Sequence, residues 1–197
     1  MIRSGTNRFG KTLFVLYPGD YYASADDCLI ATVAGSCVVV CLHDFENRIG
    51  GMGHFILPGA MGTDGLLAGE VARHGITCME YLIGELVKLG GTRKTMRAAL
   101  YGAGNFGAIS LSAQGFMLAD NIKFMRGYFQ LERIVVSRED LGGNLRRKIF
   151  FSPRTGASFR KFLKNNHAHS EFIKLENEYI ATVFTNKEKY GSIIIFD

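Results

Sequence analysis

Two side chains in the first third of the chain have the types and spacing that nucleophilic acyl chemistry needs. Cys37 follows a Gly35-Ser36 turn at the head of a valine-rich run, and His54 lies in the next strand candidate. If the polar turn over 44–48 joins two antiparallel strands, the start of one meets the end of the other. A thiol and an imidazole then share one edge of a sheet. An imidazole beside a thiol makes a usable thiolate nucleophile at neutral pH. Backbone N–H groups at Gly35, Ser36 and Cys37 are candidates to hold a developing oxyanion. On spacing alone the plainer alternative is stronger, because a cysteine in an apolar strand is usually a small core residue. His43, beside Asp44, would serve as a base equally well on paper. Cys28, Cys41 and Cys78 read as packing residues. Cys37 and Cys41 lack the second pair that a zinc site requires, so no metal is expected. A Cys–His mechanism needs no organic cofactor either.

The elements that must position these groups can be read from pattern and punctuation. Residues 1–10 read as a loose start. Strands are expected over 11–17, 28–34, 38–42, 49–57 and 96–101, because these runs are apolar or β-branched and end at turn residues such as Pro18-Gly19. Gly50 and Gly51 permit a bend or a close backbone approach within the fourth run. Residues 66–89 carry apolar side chains at three- and four-residue steps and stop at Gly90-Gly91, which is the pattern of a long amphipathic helix. A shorter helix is expected over 119–130. Further strands are expected over 131–137, 148–152 and 158–163. Residues 191–197 read as an edge strand. Strands outnumber helices and tight turns join them, so the expected class is α+β: a layered α/β/β sandwich with a mainly antiparallel sheet and one long amphipathic helix.

Bulk properties limit the function classes. The 197 residues suit one domain, or one domain with an extension. Hydrophobic residues at 47% and charged residues at 21% describe a packed chain rather than a disordered one. The net charge of +5 favours encounter with acidic surfaces. Its basic residues are scattered, so nucleic acid is not an expected partner. The longest apolar stretch, 28–42, is interrupted by Thr32, Gly35 and Ser36 and is too short to span a bilayer. No signal segment is read at the N-terminus, and free thiols are expected in a reducing cytosol.

The string AGSCVVVCLHD followed by GGMGHFILPG resembles the signature of the CheD family, the chemoreceptor glutamine deamidases. That family carries a Gly-Ser-Cys-Val element and then a Gly-Gly-Met-x-His-Phe-x-Leu-Pro element, in this order and at this distance. RHGITCMEYLI from Arg73 and DLGGNLRRKI from Asp140 are similar to its helix and to its later Gly-Gly strand entry. The resemblance implies that Cys37 is the nucleophile, His54 the general base and Thr32 the third catalytic residue. It implies that the loop Tyr101-Gly-Ala-Gly-Asn105 borders the substrate groove, with Gly35, Ser36 and Asn105 as substrate-binding residues. The implied substrates are glutamines on the cytoplasmic helical hairpins of methyl-accepting chemoreceptors. Methylated glutamates and a CheC-type phosphatase are the implied second substrate and second partner. The expected division is a deamidase domain over 1–163 and a C-terminal extension over 164–197, ending in an edge strand and packed on the same domain. The rival expectations are a non-catalytic chemotaxis interaction module and a cysteine peptidase or amidase with another substrate.

Overall fold

In the computed structural model the described residues are 3–6, 10–55, 70–105, 111–163, 171, 174–175 and 177–178. Ten strands among them form two five-stranded sheets. The first sheet has the order β1 (Arg3–Thr6), β2 (Thr12–Val15), β4 (Leu29–Ala34), β9 (Arg146–Phe151) and β10 (Ser158–Leu163). The second has the order β3 (Tyr21–Ser24), β6 (Ile49–Phe55), β5 (Val38–Asp44), β7 (Met96–Gly102) and β8 (Val135–Leu141). The β2–β4 and β7–β8 pairs are parallel; the other pairings are antiparallel.

The strand period of two sorts β5 into two faces. Val38, Val40 and Leu42 point to a core shared with α1 (Glu70–Lys88) and α2 (Leu111–Leu131). Val39 and Cys41 point the other way, into a core shared with Ile30, Ala34, Ile149 and Phe151 of the first sheet and with Leu16 just after β2. The layers are therefore helices, sheet, sheet, with one apolar core in each gap. α1 offers Met79, Leu82, Ile83 and Leu86 to its core, all fully buried and spaced i, i+3, i+4, i+7. Each such side chain contributes about 2 kcal/mol on leaving water. The helix stops where Gly90 takes φ 98° and Gly91 N–H donates back to the Leu86 carbonyl at 2.9 Å. Gly51 lets α1 come close: a Cβ there would stand 2.8 Å from Leu82 Cδ1 and 2.9 Å from the Tyr22 carbonyl.

The α/β/β layering and the dominance of antiparallel pairing agree with expectation. Several expectations are corrected. There is not one long helix, since α2, with 21 residues, is longer than α1, with 19. Each of the two sheets is mixed, with one parallel pair. The strand expected over 131–137 begins only at Val135, because α2 continues to Leu131 and turns at Arg133, which takes φ 56° where a glycine stop is usual. The expected loose start contains β1, and β3 was not expected. The parts of the expected elements at 56–57 and 66–69, and the edge strand at 191–197, lie outside the described residues. Of the segment 164–189, residues 171, 174–175 and 177–178 are described, and they are helical.

Candidate active site

Thr32 sits in β4 between Ile30 and Ala34, both members of the core between the sheets, so alternation turns its side chain into the same gap. His54 stands two residues beyond Met52 on β6 and faces the gap likewise. The His54 backbone is fixed from outside: its N–H donates to Asp20 O at 3.0 Å, and its carbonyl accepts from Gly19 N–H at 2.7 Å. Thr32 and His54 therefore approach from opposite sheets, with 2.8 Å between Thr32 Oγ1 and His54 Nδ1. Thr32 Oγ1 also donates to the Leu16 carbonyl at 2.8 Å. A carbonyl only accepts and a hydroxyl has one proton. The Thr32 proton is thus spent on Leu16, and Nδ1 of His54 must carry a proton to donate to Thr32. In the neutral imidazole the lone pair then belongs to Nε2. Thr32 is 1% exposed and His54 1%, so both are shielded from competing water.

Cys37 ends the bend of residues 35–37 that joins β4 to β5. Its carbonyl accepts from Ala103 N–H at 2.9 Å, which extends the β5–β7 ladder one position past the Val38–Gly102 pair. Cys37 itself lies just outside β5, two residues before Val39. Val39 is directly opposite His54, so Cys37 is the diagonal neighbour of His54 across the β5–β6 pair. Diagonal neighbours have backbones about 7 Å apart, within the combined reach of a cysteine and a histidine. Cys37 is 0% exposed. His43 is excluded as its partner, because six residues of strand place it about 20 Å away. Burial also holds the His43 imidazole below its usual value, against the Arg154 backbone hydrogen bond and the Asp44 charge.

The other candidates surround this group. Gly35 is buried and its carbonyl accepts from Gly104 N–H at 2.9 Å; Ser36 is half-buried. Asn105 is exposed, and its N–H donates to Gly143 O at 2.7 Å. The glycine-rich loop after β7 therefore lies along the Cys37 turn. Gly102 takes φ 104°, and a Cβ there would stand 2.1 Å from Cys37 O, so only glycine fits. The other three cysteines form no disulfide. Burial pushes the Cys78 thiol up to about 12 and pushes those of Cys41 and Cys28 up as well. Among the described residues, no group of three or more His, Cys, Asp or Glu side chains could hold a metal ion, and no helix is long and apolar enough to cross a membrane. Sequence reading did not find the Leu16 carbonyl that orients Thr32. It also missed Tyr101, whose hydroxyl lies 2.7 Å from Ser158 Oγ and ties the two sheets beside Val39.

The fold is helix–sheet–sheet, and the Thr32 and His54 side chains meet in the gap between the sheets, with the Cys37 turn directly after β4. The chain belongs to the CheD family. The family model described as CheD chemotactic sensory transduction matches residues 56–162, more than half of the chain. That span begins just after His54, so Thr32, Cys37 and His54 lie outside it. The chain is 41% identical over 165 residues to the probable chemoreceptor glutamine deamidase CheD of Burkholderia vietnamiensis, covering 81% of this chain and 66% of that one. It is 37% identical over 171 residues to the probable chemoreceptor glutamine deamidase CheD 1 of Shewanella oneidensis, covering 87% and 82%. It is 41% identical over 150 residues to the corresponding protein of Burkholderia mallei, covering 76% and 63%. The chain spans a little under two thirds of the length of the Burkholderia relatives it matches.

Proposed function

We propose that the chain deamidates glutamine side chains of chemoreceptors, with Cys37 as nucleophile and His54 as base. The observation that carries this reading is the hydrogen bond from His54 Nδ1 to Thr32, which leaves the Nε2 lone pair for a proton from sulfur. The names of the relatives support the substrate class.

In this mechanism His54 Nε2 takes the Cys37 proton, and the thiolate adds to the amide carbon of the glutamine. N–H groups of the 35–37 turn hold the oxyanion. The tetrahedral adduct collapses as His54 returns the proton to the departing nitrogen, which releases ammonia and leaves a thioester on Cys37. Water then attacks the thioester and gives its proton to His54, and collapse releases glutamate and restores the thiol. Thr32 acts through His54, by fixing the tautomer and the angle of the ring. A methylated glutamate presents the same acyl centre, so receptor methylesterase activity is a side reaction of the same site. Asn105, exposed beside the Cys37 turn, contacts the substrate backbone. Residues 1–163 form the deamidase unit and 164–197 an extension packed on it. The protein works in the cytosol on receptor cytoplasmic domains, with a CheC-type phosphatase as a further partner.

The complete burial of Cys37 favours one second reading, a non-catalytic module that binds receptors or that phosphatase. Incubation with a receptor cytoplasmic fragment separates the two. The deamidase reading expects ammonia release by the native chain and none by Cys37→Ala, with binding of the fragment unchanged. Binding without ammonia release by the native chain supports the module instead.

A further inference from the structure

We infer that Arg147 is a positioning residue for the Cys37 turn, acting as a clamp that holds both strands flanking it. Arg147 is 3% exposed although it carries a charge. Such burial requires partners, and its partners lie in both sheets. Its backbone is paired with Ala34, the last residue of β4 before the turn. Its guanidinium reaches across to the end of the other sheet. Nε and Nη2 donate to Asp140 Oδ1 at 3.1 and 2.9 Å, Nη2 donates to Gly142 O at 2.6 Å, and Nη1 donates to Leu145 O at 3.0 Å.

The residues held by the guanidinium hold the loop beside the nucleophile. Gly142 N–H donates to Gly102 O at 2.9 Å, and Gly143 O accepts from Asn105 N–H at 2.7 Å. Between Gly102 and Asn105, Ala103 N–H holds Cys37 O and Gly104 N–H holds Gly35 O, both at 2.9 Å. Ala103 is kept at φ 47°, a left-handed conformation that alanine adopts only when its surroundings enforce it. One residue therefore fixes the entry to the turn through its backbone pairing with Ala34, and the exit through the bonds of its side chain to Asp140, Gly142 and so the loop. Arg160 Nε, 2.6 Å from Asp140 Oδ2, braces the same carboxylate from β10. A fork of five N–H donors can meet three acceptors at once; a lysine ammonium is a point charge and cannot span them.

The chemical consequence rests on the deamidase reading, and the test separates the two. Arg147→Lys is compared with the native chain by amide hydrogen exchange and by deamidation of a receptor fragment. Exchange at Ala103, Gly104 and Asn105 is expected to quicken at least about 10-fold, with the β6 amides unchanged. The value of kcat is expected to fall about 10- to 100-fold at constant KM, because a small displacement of a reacting atom costs rate rather than affinity. If Arg147→Lys does not fold, Asp140→Asn, which keeps the shape and removes the charge, is measured in the same way. Native exchange at the three amides overturns the clamp. Quickened exchange with native kcat overturns its role in positioning. If the native chain releases no ammonia while exchange still quickens in the variant, the deamidase reading fails and the clamp stands.

Discussion

At the scale of single residues, the account depends on which nitrogen of His54 carries a proton. Thr32 decides it because its own proton is committed to Leu16. Thr32→Ser keeps a hydroxyl in place and is expected to retain deamidation within a few-fold. Thr32→Val removes the acceptor and leaves Nδ1–H without that partner, so kcat is expected to fall about 10- to 100-fold with the fold intact, which steady-state kinetics and circular dichroism would check. One short turn between their strands makes Cys37 and His54 a possible pair in the sequence, but family resemblance is what raised them above packing residues. The Thr32–His54 contact could not be read from spacing, since it joins two sheets and no local period relates the two positions. Resemblance to a family pointed to Thr32, and geometry supplies what its hydroxyl touches.

At the scale of elements, the buried carboxylate of Asp44 knots the β5–β6 turn to the connection between α1 and β7. Oδ1 accepts from Glu46 N, Asn47 N and Thr95 Oγ1, and Oδ2 accepts from Thr92 N and Asn47 Nδ2. Burial opposes its ionisation, but the hydrogen bonds from Asn47, Thr92 and Thr95 outweigh it and hold the carboxyl down to about 2. Its folded value thus lies below the unfolded one, near 3.9. The stabilisation is complete above about pH 4 and is lost as pH falls through about 2. It amounts to about 2 kcal/mol. Chemical denaturation of native and Asp44→Asn protein at pH 6 and at pH 2.5 would check this, with a difference expected at pH 6 that shrinks at pH 2.5. The turn itself was legible as a polar break, and β5, β6 and β10 were placed within a few residues. Of α2 the expected helix over 119–130 captured the C-terminal part and not the start at Leu111, where Gly115 and the small residues near it blur the helical period. β3, at four residues and directly after Pro18-Gly19, is too short for alternation to identify.

At the scale of the molecule, the two-sheet architecture puts Thr32 and His54 inside the gap rather than on an outer rim, and Cys37 is buried as well. The sequence reading anticipated a thiol at an accessible edge, because it paired the Cys37 and His54 strands without showing which strands would cover them. The second sheet is assembled from strands far apart in the chain, and pairing such as β4 with β9 leaves no local signal. Burial pushes the thiols of Cys28, Cys41 and Cys78 up. On the deamidase reading, in which His54 activates the Cys37 thiol, brief treatment with iodoacetamide at pH 7, followed by peptide mapping, is expected to label Cys37 first despite its burial. Cys28, Cys41 and Cys78 are expected to label at comparable rates only after unfolding.

The central claim is that a receptor glutamine is carried as an acyl group on Cys37. Intact-mass measurement of an acid-quenched mixture of the protein and a glutamine-bearing receptor peptide tests it directly. The account predicts a species with the mass of protein plus peptide less ammonia, mapping to Cys37 and absent from Cys37→Ala. Deamidated peptide formed at the native rate by Cys37→Ala, or an adduct on another cysteine, would contradict it.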